Sequence, residues 1–480
     1  VAATASINGG AGNNTLKLDG AATLKGSISN IQNLVHVGTA APATIDASKV
    51  GGLQTVTFQD VDTTATEISK LQSGNTVIVG GQSTTTTLGA TYVTGATVAN
   101  LTLDNAQSAG PIVYAAKGTS TDTLKTLNVS GNTQYTSASN YTKVALVADA
   151  DNTTTTGDYA NKINTLNVNS YAGGTLALAA GVSGTVDGIG KNLTTIDATA
   201  SAGKTIIDIT GTAKDLTYKG GAADDILYMD LSSLTAKDSI VGGAGVDSLR
   251  LNVGHTTTTN YTVADTVAEI SEEGYGFVNG TGFEQVGFYG INGTDGIKMN
   301  MSKLDASSVR MEADLTASKV LDSDTFVAAR DGVTFTLTHA RSTSGPSYSY
   351  TGGDNAGVVN VTADAGKTVT VAAVVLGKDA NLAIGAKTAN DSDFGKLVLS
   401  GAGTVNFDNC SATTAAAAGG ANVDASAMTG TSSLKYSGNL LQTDYVTLGA
   451  GKDVVSILGS SVALVDRVDR KSTRLNSSHA

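Results

Sequence analysis

Short alternating phrases run along the chain. TVTF (55–58), LTLD (101–104), TLNV (126–129 and again 165–168), TIDA (195–198) and LTYK (216–219) alternate apolar with small polar residues and are rich in Val, Ile, Leu and Thr. A period of two marks a β-strand with one inward and one outward face. Gly, Asn, Ser and Asp clusters between the phrases read as turns. The phrases that start at 165, 195 and 216 are 30 and 21 residues apart. Spacing of that order, with only 3 Pro in the chain, predicts coils of a solenoid rather than hairpins of a barrel. Its irregularity predicts loops of variable length between coils. The Thr runs 84–87, 153–156 and 256–259 fall in such loops or edges, and the Ala run 415–418 reads as a short helix or loop. The expected fold is therefore all-β, an elongated parallel β-solenoid or β-helix-like stack; the alternative is a string of β-sandwiches.

A longer repeat overlies the short one. GGAGNNTLKL (9–18) is echoed by GGAGVDSLRL (242–251), NIQNLVHV (30–37) by GFEQVGFY (282–289), and IDAS (45–48) by LDAS (304–307). Further on, IDAT (196–199), LTYK (216–219) and GGAADDILY (220–228) are echoed by VDAS (423–426), LKYS (434–437) and LGAGKDVVS (448–456). The order is kept throughout. This predicts two copies of one long module, 1–241 and 242–468. Tandem long modules point to an extended surface or matrix protein rather than a compact enzyme.

Composition narrows the picture. The 480 residues include 57 Gly, no Trp and 1 Cys, with 15% charged and 5% aromatic residues. One cysteine excludes an internal disulfide framework and a Cys-based zinc site. No run of about 18 apolar residues exists, so no transmembrane helix is expected. With 42 acidic against 30 basic residues the net charge is −12. No basic stripe is present, which argues against nucleic acid as a partner. The carboxylate excess suits solubility at high salt or binding of a divalent cation. Residues 469–480 (DRKSTRLNSSHA) resemble the translation of a sequencing adapter and are set aside as an artefactual tail. On that reading the chain is a fragment. The natural gene is then expected to continue with another glycine-rich nonapeptide near position 470, one 22-residue coil beyond 448.

Enzyme signatures are missing. His36, His255, His339 and His479 are scattered, with no HExxH, and no GxSxG occurs. These histidines and Cys410 read as structural or surface residues. The charged stretch 303–330 reads as solvated strand faces, and the aromatic stretch 271–293 as core packing of a connecting strand pair.

One motif carries chemistry. GGAGVDSLR (242–250) matches the nonapeptide GGxGxDxUx at every specified position. GGAADDILY (220–228) departs at Ala223, LGAGKDVVS (448–456) at Leu448, and GGAGNNTLK (9–17) has Asn14 in place of Asp. Glycines permit a tight turn with carbonyls directed inward, the Asp adds a charged oxygen, and the next aliphatic residue enters the core. Two stacked turns offer about six oxygens, enough for calcium.

These nonapeptides resemble the RTX family of calcium-binding secreted bacterial proteins. The Thr/Ala/Gly-rich composition and the φDAS phrases resemble its surface-layer members in particular. The resemblance implies calcium-triggered folding after export and assembly into a cell-surface lattice, with no catalytic role. It implies self-association and contact with cell-surface polysaccharide as partners. Carried over, the ligands are the Asp225 and Asp247 carboxylates with carbonyls of Gly220, Gly221, Gly242, Gly243 and Gly245. Gly449, Gly451 and Asp453 make a third half-site, and Gly9, Gly10, Gly12 and Asn14 a weaker one. Family motifs run nine residues apart, whereas 220 and 242 are 22 apart, so here two turns must stack across one enlarged coil. Two other functions stay open at this point: a calcium-dependent adhesin, and the carrier region of a secreted enzyme whose catalytic domain lies elsewhere. The bland reading of the motifs is that they are turns between strands.

Overall fold

The computed structural model describes residues 5–19, 24–37, 44–59, 65–83, 87–108, 113–117, 123–137, 140–141, 143–147, 162–181, 188–212, 215–234 and 237–252. It further describes 282–289, 298–300, 306–314, 324–327, 333–340, 358–363, 368–376, 396–408, 422–429, 433–439, 445–458 and 467–470. The chain divides into two compact units. One is Val1–Leu249 with Asn279–Gly282, the other Arg250–Val278 with Phe283–Ala480.

In the first unit ten strands form one parallel sheet. They are Thr15–Asp19, Asn33–Val37, Thr55–Gln59, Thr76–Ser83, Val98–Ser108, Thr126–Thr133, Thr165–Ser170, Thr195–Asp197, Thr217–Lys219 and Ser239–Val241, neighbours in that order. A second sheet takes Thr44–Asp46, Ala65–Leu71, Thr87–Tyr92, Val113–Lys117, Val144–Val147, Thr175–Ala179, Lys204–Asp208 and Ile226–Asp230. From Asn33 onward the chain visits the two sheets in turn, so each coil gives one strand to each. Parallel neighbours demand a return path between them, and the alternate sheet supplies it. One coil takes 22 residues between Asn33 and Thr55, 28 between Asn100 and Asn128, and 39 between Asn128 and Asn167.

The phrases found in sequence are these coils. Thr165 lies opposite Thr195, and Thr195 opposite Thr217. Among the described strands one pair, Tyr135–Ser137 with Asn140–Tyr141, is antiparallel. The sandwich alternative is thereby overturned, since sandwiches are built from antiparallel pairs.

The period of two sorts each strand. Leu127, Leu166, Ile196, Tyr218 and Ile240 stack in register on the inner face, all fully buried. Each contributes about 1.5–3 kcal/mol by leaving water. Between them point Asn and Thr. Asn128 donates its amide to Asn100 Oδ1 at 2.7 Å, and Asn167 donates to Asn128 Oδ1 at 2.7 Å. His36 is 1% exposed, its ring 6.0 Å from that of Phe58, in keeping with a structural histidine.

The second unit repeats the arrangement. Gln285–Tyr289, Ser308–Asp314, Val333–Ala340, Thr368–Leu376, Thr404–Asp408, Ser433–Asn439 and Val454–Leu458 form one parallel series. Lys298–Asn300, Asp324–Val327, Val358–Ala363, Lys396–Gly401, Asn422–Met428, Tyr445–Leu448 and Arg467–Arg470 form the other. From the aromatic stretch, Phe283 and Val286 are buried. The strand Arg467–Arg470 pairs with Tyr445–Leu448, so regular structure includes the first two residues of the adapter-like tail. Cys410, His255, His479, the Ala run 415–418, and the Thr runs except Thr87 lie outside the described residues. His339 sits in the strand Val333–Ala340.

The φDAS phrases have a local cause. Asp46 Oδ1 accepts from the Ser48 N–H at 3.0 Å and from its hydroxyl at 2.6 Å. Asp197 does the same with Thr199, and Asp208 with Thr210. Asp424 accepts from the Ser426 N–H at 2.9 Å. Each carboxylate holds the backbone two residues on; Asp46, Asp197 and Asp208 thereby end their strands at a coil corner, while Asp424 lies within the strand Asn422–Met428.

Candidate functional site: stacked glycine–aspartate corners

Corner 220–225 joins strand Thr217–Lys219 to Ile226–Asp230, and corner 242–247 joins Ser239–Val241 to Ser248–Asn252. The two corners stack one coil apart. Gly220 N–H donates to Val241 O at 2.8 Å, Ala244 N–H to Gly221 O at 3.0 Å, and Ser248 N–H to Asp225 O at 2.8 Å. The spacing of 22 residues is thus no obstacle to stacking, because the intervening chain forms one full coil.

Glycine is required at two kinds of position. Gly243 and Gly245 have φ +111 and +127, a region that L side chains rarely enter. Gly220 and Gly242 are needed for closeness instead. A Cβ on Gly220 would lie 1.6 Å from the Gly242 carbonyl oxygen, and one on Gly242 1.8 Å from that of Gly282. Ala223 is tolerated where the consensus has glycine.

Both aspartates point inward and are fully buried. Asp225 Oδ1 accepts from Thr205 N–H at 2.7 Å and its Oδ2 from Gly221 N–H at 2.6 Å. Asp247 Oδ1 accepts from Asp225 N–H at 2.7 Å. Each carboxylate therefore ties its own coil to the preceding one. Burial pushes the Asp225 carboxyl above the ordinary aspartate range, against the lowering effect of the Gly221 and Thr205 N–H groups. The Tyr218 phenol, fully buried, is driven up by the same burial and by the Asp225 charge, so it stays neutral.

Two further corners repeat this plan. At corner 448–453, Asp453 Oδ1 accepts from Leu434 N–H at 3.0 Å, as Asp225 does from Thr205. Ala450 N–H donates to Met428 O at 3.3 Å, as Ala222 N–H does to Ser201 O at 3.0 Å. A Cβ on Gly449 would lie 2.6 Å from Ala425 O, and Gly451 is buried at the same turn. At corner 9–14, Gly10 and Gly12 take φ +77 and +100. Gly9 packs against Asn30, whose carbonyl oxygen would lie 2.2 Å from an added Cβ. The Asn14 side chain donates to Asn30 O at 2.9 Å, the reverse polarity to an Asp.

The first corner pair brings together Gly220, Gly221, Asp225, Gly242, Gly243, Gly245 and Asp247. Gly449, Gly451 and Asp453 share a different corner, and Gly9, Gly10, Gly12 and Asn14 another. The sequence reading missed Thr205 and Ser201, which come from the preceding coil. It also missed Asp238, whose carboxylate accepts from Leu216 N–H at 2.6 Å in the same manner. A usable signal did exist: Asp225, Asp238, Asp247 and Asp453 each stand one residue before a strand. The fold also pairs one repeat differently. Ile206 lies opposite Ile226, and Lys435 opposite Val454. LKYS is therefore the counterpart of the strand Lys204–Asp208, whereas LTYK, which runs into a glycine corner, corresponds to Tyr445–Leu448.

The corner fits a hard cation in donor type. Two buried carboxylates and several glycine carbonyls belong to the same pair of stacked corners, and an oxygen that accepts one N–H keeps a second lone pair. Asp225 and Asp247 with the Gly220, Gly221, Gly242, Gly243 and Gly245 carbonyls would hold calcium, which would supply charge neutralisation. Among the described residues no group of three or more His, Cys, Asp or Glu side chains forms, so this set relies on backbone oxygens.

Fold and site together define a two-faced parallel β-solenoid with buried carboxylate corners. No protein-family model, curated protein or solved structure matches the chain.

Proposed function

We propose that this chain is a non-enzymatic structural subunit of a bacterial surface layer, exported and then folded and assembled with calcium at the cell exterior. One observation carries the reading: two GGxGxD-type corners stack one coil apart, each with its carboxylate buried. Burying an anion is costly unless it is paired. A divalent cation at the corner neutralises both charges and couples coil stacking to calcium. The parallel coils, with side chains committed to hydrogen bonds between neighbours, suit a scaffold.

Calcium titration of the chelator-treated chain tests this, followed by circular dichroism and light scattering. The expected outcome is β-structure and large assemblies appearing together. Asp247→Asn should weaken the calcium midpoint while its Oδ1 still accepts from Asp225 N–H; Asp225→Asn should weaken it too, but gives up one of the two N–H acceptors at its corner. Calcium-independent folding in wild type and both variants would sink the calcium part. Folding with calcium but no assembly would instead support the adhesin or carrier readings.

A further inference from the structure

The stacked pair of corners at 220–225 and 242–247 forms a junction whose two sides recur, one at corner 9–14 and the other at corner 448–453. Its lower side is corner 220–225 with the strand Ile226–Asp230. Its upper side is corner 242–247 with the strand that follows. Across it, Val246 N–H donates to Asp224 Oδ1 at 2.8 Å and Asp225 N–H to Asp247 Oδ1 at 2.7 Å, beside the backbone bonds already described.

Corner 9–14 is another upper side. Gly10 and Gly12 stand left-handed as Gly243 and Gly245 do. Gly9 packs on Asn30 as Gly242 packs on Gly282, and Asn30 and Gly282 share positive φ, 56 and 94. Corner 448–453 is another lower side, with the Asp453–Leu434 and Ala450–Met428 bonds in place of Asp225–Thr205 and Ala222–Ser201. Among the described strands, both strands that leave these corners, Thr15–Asp19 and Val454–Leu458, are end strands of their sheets.

Burial agrees. Leu249 is fully covered at the internal junction, while its counterpart Leu16 is only half-buried. Asp225 and Asp247 are covered, while Asp453 and Asn14 are half-buried. Val454 is 54% exposed, the most exposed large apolar side chain among the described residues. An open strand edge with apolar residues is a template for another chain.

We infer that a second copy of this chain docks head to tail, its corner 9–14 stacking on corner 448–453 in the register of 242–247 on 220–225. Strand Thr15–Asp19 then extends the sheet ending at Val454–Leu458. Asn14 takes the place of Asp247, which spares the contact a second buried carboxylate. Ser6–Asn8 and Arg467–Arg470 both correspond to Ser239–Val241, so only one occupies that position. Ser6–Asn8 takes it, being continuous with the docking corner, and Arg467–Arg470 yields. The contact is heterologous and does not close by two-fold symmetry. It gives a partner and a face to the self-association proposed above, and does not itself require calcium.

Asn13 and Lys452 are the exposed counterparts of Val246 and Asp224. In a C410S background, N13C with K452C should form a ladder of disulfide-linked oligomers under mild oxidation. N13C with Y171C, a pair of exposed sites outside the register, should lack the ladder. Ending the chain at Leu458 removes the competing strand and should raise the ladder yield. The contact is refuted if both pairs cross-link alike, if N13C/K452C stays monomeric, or if truncation lowers the yield. Should calcium still drive large assemblies of a chain that fails this test, the head-to-tail contact falls and the surface-layer reading stands. If neither appears, both fall.

Discussion

At the residue scale, Asp46 and Asp197 respond to acid in the opposite sense to Asp225. Asp46 and Asp197 close turns. For Asp46, burial raises the carboxyl, but Lys70 and Ser48 outweigh it; for Asp197, the Thr199 hydroxyl dominates, and both end below the ordinary value of 3.8. Their stabilisation is present above that value and is lost as pH falls through their lower folded pKa. Asp225 is raised, so its charged form burdens the folded state, and stability is gained as pH falls through its folded pKa toward 3.8. Without calcium, the melting temperature should therefore rise as pH falls through the raised Asp225 pKa toward about 4, and fall again below about pH 4. Asp225→Asn should flatten the rising limb; a monotonic decline in wild type would refute the assignment. The strut itself is tested at Asp453. Asp453→Ala leaves the Leu434 N–H without its acceptor and should cost about 1–3 kcal/mol in denaturant titrations.

Coils, at the scale of the element, are held by closeness as much as by apolar burial. Gly242→Ala would drive a methyl to 1.8 Å from a backbone oxygen, and backbone cannot swing aside as a side chain does. The expected loss is about 3 kcal/mol. Gly74, with φ +82 and open space around it, should lose only about 1 kcal/mol on replacement by alanine. Equal losses at both sites would refute the close-stacking account. On the outer face, Asn128 both donates and accepts within the amide ladder. Asn128→Ala should cost about 1–2 kcal/mol, measured by chemical denaturation. The strands were legible in sequence because the alternation of TLNV or TIDA depends only on neighbours. The partners of those strands were harder to see. LTYK and LKYS look alike, yet a strand's counterpart is set by which side of a glycine corner it occupies.

For the whole molecule, each coil touches only the coils beside it, so damage should stay local. Leu166→Ala, in the stacked core row, should cost about 2–5 kcal/mol. Hydrogen exchange should show lost protection in Val98–Ser108 through Thr217–Lys219, the strands within two coils, with the second unit unchanged. Uniform loss through both units would contradict coil-by-coil stability.

Sequence alone determined the strand class, the coil spacing and the glycine corners, because each is written in local periods or in recurring phrases. It could not determine which oxygens the corner aspartates serve. Thr205 lies 20 residues before Asp225 and becomes its neighbour only when a coil closes. Nor could it tell whether the chain within the 22-residue step lets the two best motifs stack as the resemblance requires. Those facts depend on the length of chain spent in each return path, and only the stacked coils convert that length into distance.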